Sequence, residues 1–189
     1  MDLIKDFVFK NIILRGKVPK EILKEAKNMV KFCRQYKDSP LSELRYLDNI
    51  GRNKYQCYIP FSQVNESFML PYLNVCAKEY MKHYDSNDKR VTMLRLRNND
   101  DNLLSYDIWI NYCNLGDENK QHIHLDSIFA GILFVENDNE PTYFENGEVI
   151  IGNKGDFVIF PSSLLHWTEP QKSEKERITI SFNFVAVDS

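Results

Sequence analysis

Three of the four histidines in this 189-residue chain stand in two short runs that have the spacing of metal ligands. The first run, His122-Ile-His124-Leu-Asp126, places a histidine or an aspartate at every second position. Because side chains alternate along a strand, all three would project from one face of an extended chain. The second run, Phe160 to His166, supplies a further imidazole from a distant part of the sequence. We therefore predict one metal site that draws ligands from both runs.

The sequence leaves two ligand sets open. His124, Asp126 and His166 would form the two-histidine, one-carboxylate set that binds Fe(II) on one face and leaves coordination positions free. His122, His124 and His166 would form an all-histidine set, in which Asp126 orients a ligand or has no role. A hydrolytic zinc site could use the same side chains. His124 and His166 belong to both iron sets, whereas His83 lies in a stretch rich in lysine and aspartate and is expected to be solvated.

Arg177 adds a cation close to the predicted metal. It lies eleven residues after His166, across the charged stretch Lys172–Glu176, and this spacing allows a hairpin that returns the chain to the site. A guanidinium cannot bind the metal, but it can hold a carboxylate through two parallel hydrogen bonds. Thr179 lies two positions further on the same strand face and can add a hydroxyl. These residues predict a site for an acidic cosubstrate beside the metal.

Two helices and a series of short strands would position these side chains. Apolar residues recur at helical spacing after Pro19, and a second helix is predicted from about Pro71 to Tyr84. Runs with strand character, bounded by turn residues, are Phe7–Phe9, Ile12–Leu14, Val91–Arg97, Tyr106–Cys113, Phe129–Val135, Glu148–Ile151, Asp156–Phe160 and Arg177–Val187. This order predicts a mainly β domain, a sandwich or barrel braced by about two N-terminal helices. Residues 38–66 are polar and irregular, with a possible strand at Tyr55–Ile59, and could be a flap over a site or a surface loop.

The predicted last strand indicates which of its faces would line a cavity. One face carries Ile178, Ile180, Phe182 and Phe184, and the other carries Arg177, Thr179, Ser181 and Asn183. The second face holds small hydrogen-bonding groups and one arginine, rather than lysines and glutamates. We expect this face to look into a polar cavity while the apolar face packs on the helices. Along Tyr106–Cys113 the same alternation sets Trp109, Asn111 and Cys113 opposite Ile108, Ile110 and Tyr112.

Charge and cysteine content narrow the class of protein. A net charge of -3 gives no general attraction to nucleic acid or to an anionic membrane, although Lys89–Arg97 is a local basic cluster. The four cysteines form no Cys-x-x-Cys pair, so reduced, buried thiols in a cytoplasmic protein are expected. The N-terminal residues show neither a basic stretch followed by an apolar run nor a membrane span, so neither a signal peptide nor a membrane partner is expected.

The stretch Trp109–Asn183 resembles the small Fe(II)/2-oxoglutarate-dependent oxygenases, in particular a group common in phage and bacterial genomes. The matching runs are Trp109-x-Asn111, His122-x-His124 shortly before Ala130–Phe134, Gly155-Asp156 through Phe160-Pro161-Ser162 to His166, and Arg177-x-Thr179-x-Ser181-Phe182-Asn183. The run from Gly155 to Arg177 is fairly specific. The His-x-His element alone is weak, because cupins share it.

The resemblance implies a double-stranded β-helix, or jelly roll, that binds Fe(II) and 2-oxoglutarate. It makes His166 the distal metal ligand and places Arg177, Thr179 and Asn111 at the cosubstrate. It implies a dioxygenase that decarboxylates 2-oxoglutarate to succinate and hydroxylates a second substrate. It suggests a single domain, residues 1–189. Residues 1–90 would form helical support and a possible flap, and residues 91–189 would form a jelly-roll catalytic core.

One departure from the family pattern and two rival functions remain open. The wider superfamily has His-x-Asp or His-x-Glu where this chain has His122-x-His124, and the missing carboxylate would change the charge on the iron. The substrate is not identified, but a protein side chain is attractive because residues 38–66 could cover an extended peptide. The rivals are a cupin-like metal enzyme that does not use 2-oxoglutarate and a non-catalytic jelly-roll binding module, in which the histidines are incidental.

Overall fold

The computed structural model of the protein describes residues 7–35, 46–48, 55–58, 69–83, 104–125 and 127–186. Within these ranges the chain forms two helices, α1 (Lys20–Gln35) and α2 (Met69–His83). The same ranges contain the strands β1 (Val8–Lys10), β2 (Ile13–Lys17), β3 (Tyr46–Asp48), β4 (Tyr55–Tyr58), β5 (Leu104–Cys113), β6 (Asn119–His122), β7 (Phe129–Glu136), β8 (Thr142–Phe144), β9 (Val149–Ile150), β10 (Asp156–Pro161), β11 (His166–Thr168) and β12 (Arg177–Ala186).

The strands form two sheets with antiparallel pairing. The major sheet has eight strands in the order β1-β2-β10-β7-β12-β5-β4-β3, and the minor sheet has four in the order β6-β11-β8-β9. From β5 onward the chain passes back and forth between the two sheets, which is how a jelly roll is built. The prediction of a mainly β domain with two helices is therefore confirmed for the described residues.

The two helices cover one face of the major sheet. Helix α1 buries a stripe at helical spacing, and helix α2, with Pro71 in its first turn where no backbone donor is needed, buries a second stripe. The phenol of Tyr80 on α2 donates to the carbonyl of Ile12 at 2.8 Å, and that of Tyr112 on β5 donates to the carbonyl of Val30 at 3.1 Å. The core between helices and sheet includes Ile22, Ala26, Val30, Cys33, Tyr72, Leu73, Cys76, Ala77 and Tyr80.

Strand β12 has the two faces that its sequence predicts. Its apolar side chains belong to the helix-facing core: Ile178, Ile180, Phe182 and Phe184. Its polar side chains line the cavity between the sheets: Arg177, Thr179, Ser181 and Asn183. The neighbouring strand β5 follows the same rule, since Trp109 and Asn111 line the cavity while Ile108, Ile110 and Tyr112 join the core. These two paired strands form one wall of the cavity.

The space between the two sheets is divided into an apolar region and a polar region. A second apolar cluster fills the first region, with Ile13, Ala130, Ile132, Phe134, Phe144, Ile150, Val158, Phe160 and Leu164. Gly131 on β7 lies against the ring of Phe182, and a Cβ there would sit 2.1 Å from Phe182 Cε2. The close approach of these two strands therefore requires a residue without a side chain at position 131.

Most predicted elements lie where the sequence placed them, but four strands were not predicted. These are β3, β6, β8 and β11, each of three or four residues. Such short segments carry too few alternations to give a pattern, and β6 (Asn-Lys-Gln-His) contains no apolar residue.

The polar segment 38–66 contains the described strands β3 and β4, and β4 confirms the possible strand at Tyr55–Ile59. The predicted strand Val91–Arg97, the basic cluster Lys89–Arg97 and Asp126 lie outside the described residues.

The first half of the chain contributes to the sheet as well as to the helical layer. Strands β1 and β2 extend the major sheet at one end, and β3 and β4 extend it at the other. The predicted division into a supporting segment, residues 1–90, and a catalytic core, residues 91–189, stays a prediction.

None of the helices in the described ranges is both long enough and apolar enough to cross a lipid bilayer.

Candidate metal and cosubstrate site

Three histidines meet at the edge of the minor sheet. His122 is the last residue of β6, His166 is the first residue of β11, and the two are register partners in the pairing of these strands. His124 follows β6 by two residues, and its backbone amide donates to the carbonyl of Ser162 at 2.9 Å. This hydrogen bond ties the segment after β6 to the loop that precedes His166. The fold thus brings together the two runs that the sequence singled out.

The three imidazoles are close enough to hold one cation. One nitrogen from each ring lies within 4.8 Å of the others. Ring centroids are 4.2 Å apart for His122 and His166, 5.1 Å for His122 and His124, and 5.2 Å for His124 and His166. Imidazole nitrogens suit Fe(II), Zn(II), Cu(II) and Ni(II), and three of them on one side leave the remaining positions of an octahedral ion open. The donor set therefore fits a divalent transition metal.

Backbone carbonyls orient two of the three rings. Nδ1 of His122 lies 2.7 Å from the carbonyl oxygen of Lys120, and Nδ1 of His166 lies 2.9 Å from that of Leu164. A carbonyl oxygen can only accept, so in each ring Nδ1 carries the proton and donates it. The lone pair of each neutral ring then lies on Nε2, which is the arrangement that metal-binding histidines adopt.

Burial keeps two of these imidazoles neutral. Burial, with a smaller contribution from the nearby His122, lowers the pKa of His166 to about 3 and that of His124 to about 4. A charged imidazolium cannot bind a cation, so a depressed pKa keeps the ligand lone pair available at neutral pH.

Arg177 lies in the same cavity and is almost fully buried, with 4% of its surface exposed. Its Nη2 donates to the hydroxyl of Thr142 at 2.8 Å, and its guanidinium carbon lies 5.7 Å from the ring centre of Phe134. Among the described residues its Nε has no hydrogen-bond acceptor. Burial lowers the pKa of this guanidinium, but an arginine remains protonated in proteins. A buried cation with an unused donor is suited to an anionic ligand that enters the cavity.

Asn111 is at the centre of a hydrogen-bond network on the floor of the cavity. Its carboxamide oxygen accepts from Nε2 of Gln56 at 2.7 Å. Its nitrogen donates to the hydroxyl of Ser181 at 2.9 Å and to that of Thr179 at 3.3 Å. The predicted cosubstrate residues Asn111 and Thr179 therefore both line the cavity, and Asn111 holds neighbouring side chains in place through these bonds.

The cavity that joins these groups has a volume of about 460 Å³. This lies within the range of about 300–1,000 Å³ that is typical of small-molecule sites. The three histidines, Arg177 and Thr179 all contribute to its lining. The histidines and the arginine therefore share one cavity of a size that admits a small ligand.

The structure and the sequence differ in which residues they bring to the site. Asp126, the alternative ligand to His122, lies outside the described residues, and His83 is exposed on α2 beside Glu79, away from the cavity. Gln56, Thr142 and Asn183 line the cavity but were not predicted as site residues. Gln56 and Thr142 belong to short strands without a motif, and only the alternation along β12 indicated that Asn183 faces inward.

A family model matches a segment of the chain. Residues 138–183 match the family described as "Putative 2OG-Fe(II) oxygenase". The matched segment contains His166, Arg177 and Thr179, and it covers the whole of the specific run from Gly155 to Arg177, so the predicted resemblance is confirmed there. No curated protein matches the chain in sequence.

Solved 2-oxoglutarate-dependent oxygenases share the fold. A prolyl-4-hydroxylase of Pseudomonas putida is 12% identical with a TM-score of 0.60, over 94% of both chains. The viral collagen prolyl hydroxylase of Paramecium bursaria Chlorella virus-1, solved with 2-oxoglutarate, is 12% identical with a TM-score of 0.60, over 94% of this chain and 97% of that one. A Trichoplax adhaerens prolyl hydroxylase in complex with a hypoxia-inducible-factor peptide is 13% identical with a TM-score of 0.60, over 94% and 84%. The fold is therefore the double-stranded β-helix of these enzymes.

Proposed function

We propose that the protein is an Fe(II)- and 2-oxoglutarate-dependent oxygenase of the family that residues 138–183 match. The observation that carries this proposal is the joint presence, in one cavity, of three converging imidazoles and a buried arginine whose Nε has no acceptor among the described residues. A hydrolytic metal site would need the histidines but not the arginine. A binding module would need neither.

His122, His124 and His166 would hold the iron through Nε2. This choice over Asp126 rests on their mutual distances and on the two carbonyl contacts that leave Nε2 of His122 and His166 unprotonated. All three ligands are neutral, so the iron keeps its full charge until an anionic cosubstrate binds. The site therefore favours a dianion such as 2-oxoglutarate, which compensates this charge at one end and that of Arg177 at the other.

Arg177 would hold the distal carboxylate of 2-oxoglutarate, with Thr179 as a second donor. Thr142 holds the guanidinium through Nη2, and Nε, which has no acceptor among the described residues, would be left to donate to the ligand. Bound Fe(II), with 2-oxoglutarate and dioxygen, would supply the oxidising chemistry that forms succinate and carbon dioxide and hydroxylates a C–H bond. The protein would contribute the orientation of the cosubstrate relative to the metal.

A peptide or protein side chain is the proposed substrate class. Two of the compared structures are named as collagen and hypoxia-inducible-factor prolyl hydroxylases, which supports a polypeptide substrate. In this chain β6 is at the edge of the minor sheet, beside the histidines, and its residues Lys120 and Gln121 are exposed. An extended peptide could align with this edge and place one side chain over the metal.

The proposal includes a reducing, cytoplasmic location, which the state of the four cysteines supports. Cys33, Cys57, Cys76 and Cys113 are all buried, and none of them forms a disulfide. Buried thiols that do not form disulfides are typical of proteins from reducing compartments.

Turnover of 2-oxoglutarate tests the proposed activity. The purified protein is incubated in air with Fe(II), ascorbate and 2-oxoglutarate, with and without a pool of proline-containing peptides, and succinate is measured. We expect succinate to form only with Fe(II), to rise with an accepted peptide, and that peptide to gain the mass of one oxygen atom. No succinate under any condition would contradict the activity, whereas succinate without peptide oxidation would contradict only the substrate class.

A further inference from the structure

Asn183 is a cavity residue on β12 that contacts a proposed metal ligand, His124. The nitrogen of its carboxamide is placed 3.4 Å from Nδ1 of His124. Its carboxamide oxygen is buried and has no hydrogen-bond partner among the described residues. The residue is 8% exposed, and its carboxamide oxygen is itself shielded from solvent. A buried acceptor without a donor requires a physical explanation.

The chemistry of metal binding removes this mismatch. If the carboxamide NH2 donates to Nδ1, the proton of the neutral His124 ring must lie on Nε2, and Nε2 then has no lone pair for a metal. If Nε2 binds the metal, Nδ1 carries the proton, and two donors would face each other. A half-turn of the carboxamide brings the oxygen to Nδ1 instead. The half-turn breaks no other hydrogen bond of the carboxamide among the described residues, because the oxygen has none and the nitrogen contacts only His124. Oxygen and nitrogen of a carboxamide are distinguished by such networks.

We propose that Asn183 is a positioning residue for His124: its carboxamide oxygen accepts the Nδ1 proton of His124 and so keeps the Nε2 lone pair directed at the metal. This inference rests on the metal site of the proposed function. His122 and His166 are held in the same way by the carbonyls of Lys120 and Leu164. The side chain of Asn183 provides an acceptor for the Nδ1 proton of His124, as backbone carbonyls do for the other two rings.

The tautomer of His124 tests this role before any metal is added. Long-range proton–nitrogen correlation spectra of metal-free, histidine-labelled protein at mildly alkaline pH distinguish the Nδ1–H from the Nε2–H form. We expect Nδ1–H in the wild type and in Asn183→Asp, whose carboxylate also accepts, and a shift toward Nε2–H in Asn183→Leu. Titration with Co(II) should then show a Kd about 10–100-fold higher for Asn183→Leu and an unweakened affinity for Asn183→Asp.

Ser181→Ala is the matched control. Ser181 lies two residues earlier on the same face of β12 and accepts from Asn111, so its loss should change neither the tautomer of His124 nor the Co(II) affinity. Should Asn183→Leu fail to fold, the wild-type tautomer and Asn183→Asp decide the question. An Nε2–H tautomer in the wild type would overturn this inference but not the proposed function. A Co(II) affinity that Asn183→Leu leaves unchanged would have the same consequence. A wild-type protein that binds no Co(II) would contradict the proposed function and this inference with it.

Discussion

His166 and His122 are register partners on two paired strands, and their imidazole centroids lie 4.2 Å apart. The pairing of β11 and β6 is irregular just beyond this point, between His166 and Thr168. A metal bound by both rings would therefore link the edge strand of the minor sheet to its neighbour where the hydrogen-bonded ladder is interrupted. The same ion would tie down the segment that carries His124.

Metal binding should therefore stabilise the fold. At a free metal concentration of about 100 times Kd, binding to the native state alone adds about 2.7 kcal/mol, which raises Tm by about 5–10 °C for a chain of this length. Differential scanning calorimetry with Co(II) measures the shift. It should disappear in His166→Ala and persist in His83→Ala, because His83 is exposed on α2 and pairs with Glu79. An equal shift in both variants would mean that the metal binds elsewhere.

The two ligand sets can be separated by a pair of substitutions. If the all-histidine set holds the metal, His122→Asn should weaken Co(II) binding by at least about tenfold while Asp126→Asn has little effect. Isothermal titration calorimetry of both variants gives the comparison. The opposite order of affinities would assign the third ligand to Asp126 and return the site to two histidines and a carboxylate.

Loss of the buried guanidinium should weaken the cosubstrate specifically. Removing one partner of a buried, hydrogen-bonded charge pair costs about 2–5 kcal/mol, so Arg177→Gln should raise the Kd for 2-oxoglutarate by a factor of about 30 or more. The Kd for Co(II) should stay close to the wild-type value. Arg15→Gln is the control, since Arg15 is also a strand arginine but pairs with Glu148 and does not line the cavity.

Unchanged 2-oxoglutarate binding in Arg177→Gln would contradict the assignment of this residue. Metal-dependent activity without 2-oxoglutarate would then favour the cupin-like enzyme that the sequence left open.

The metal-free protein should lose stability as the pH falls below about 6.5. Burial holds the pKa of His166 at about 3 and that of His124 at about 4, whereas both are near 6.5 in the unfolded chain. Between these values the unfolded state binds more protons, so the free energy of unfolding rises with pH, by about 1.4 kcal/mol per unit for each histidine. Urea unfolding from about pH 5 to 6.5 measures this slope. The double variant His124→Gln/His166→Gln should lose it, and an equal slope in that variant would exclude these histidines as the cause.

The strand periodicity explains how much of the site could be read from the sequence. The two-residue alternation on β12 was sufficient to place Arg177, Thr179 and Asn183 in the cavity and Phe182 against the helices. Gly131 also has a local explanation, because the ring of Phe182 occupies the space where its side chain would lie. In a regular strand, the alternation of polar and apolar residues is enough to indicate which side chains face the cavity and which face the core.

Contacts between distant short strands could not be predicted in this way. Thr142 reaches Arg177 from β8, and Gln56 reaches Asn111 from β4, although neither strand has a motif. The contact between Asn183 and His124 depends on how the segment after β6 folds back toward β12. These pairings follow from tertiary packing, which sequence spacing does not encode.

Metal-dependent binding of 2-oxoglutarate tests the central claim most directly. Under argon, 2-oxoglutarate is titrated into Fe(II)-loaded and metal-free protein while heat and the visible absorption spectrum are recorded. We predict one molecule bound per chain with a metal-to-ligand absorption band, no band without Fe(II), and loss of binding in His166→Ala and Arg177→Gln. Fe(II)-loaded protein that takes up no 2-oxoglutarate would contradict the account.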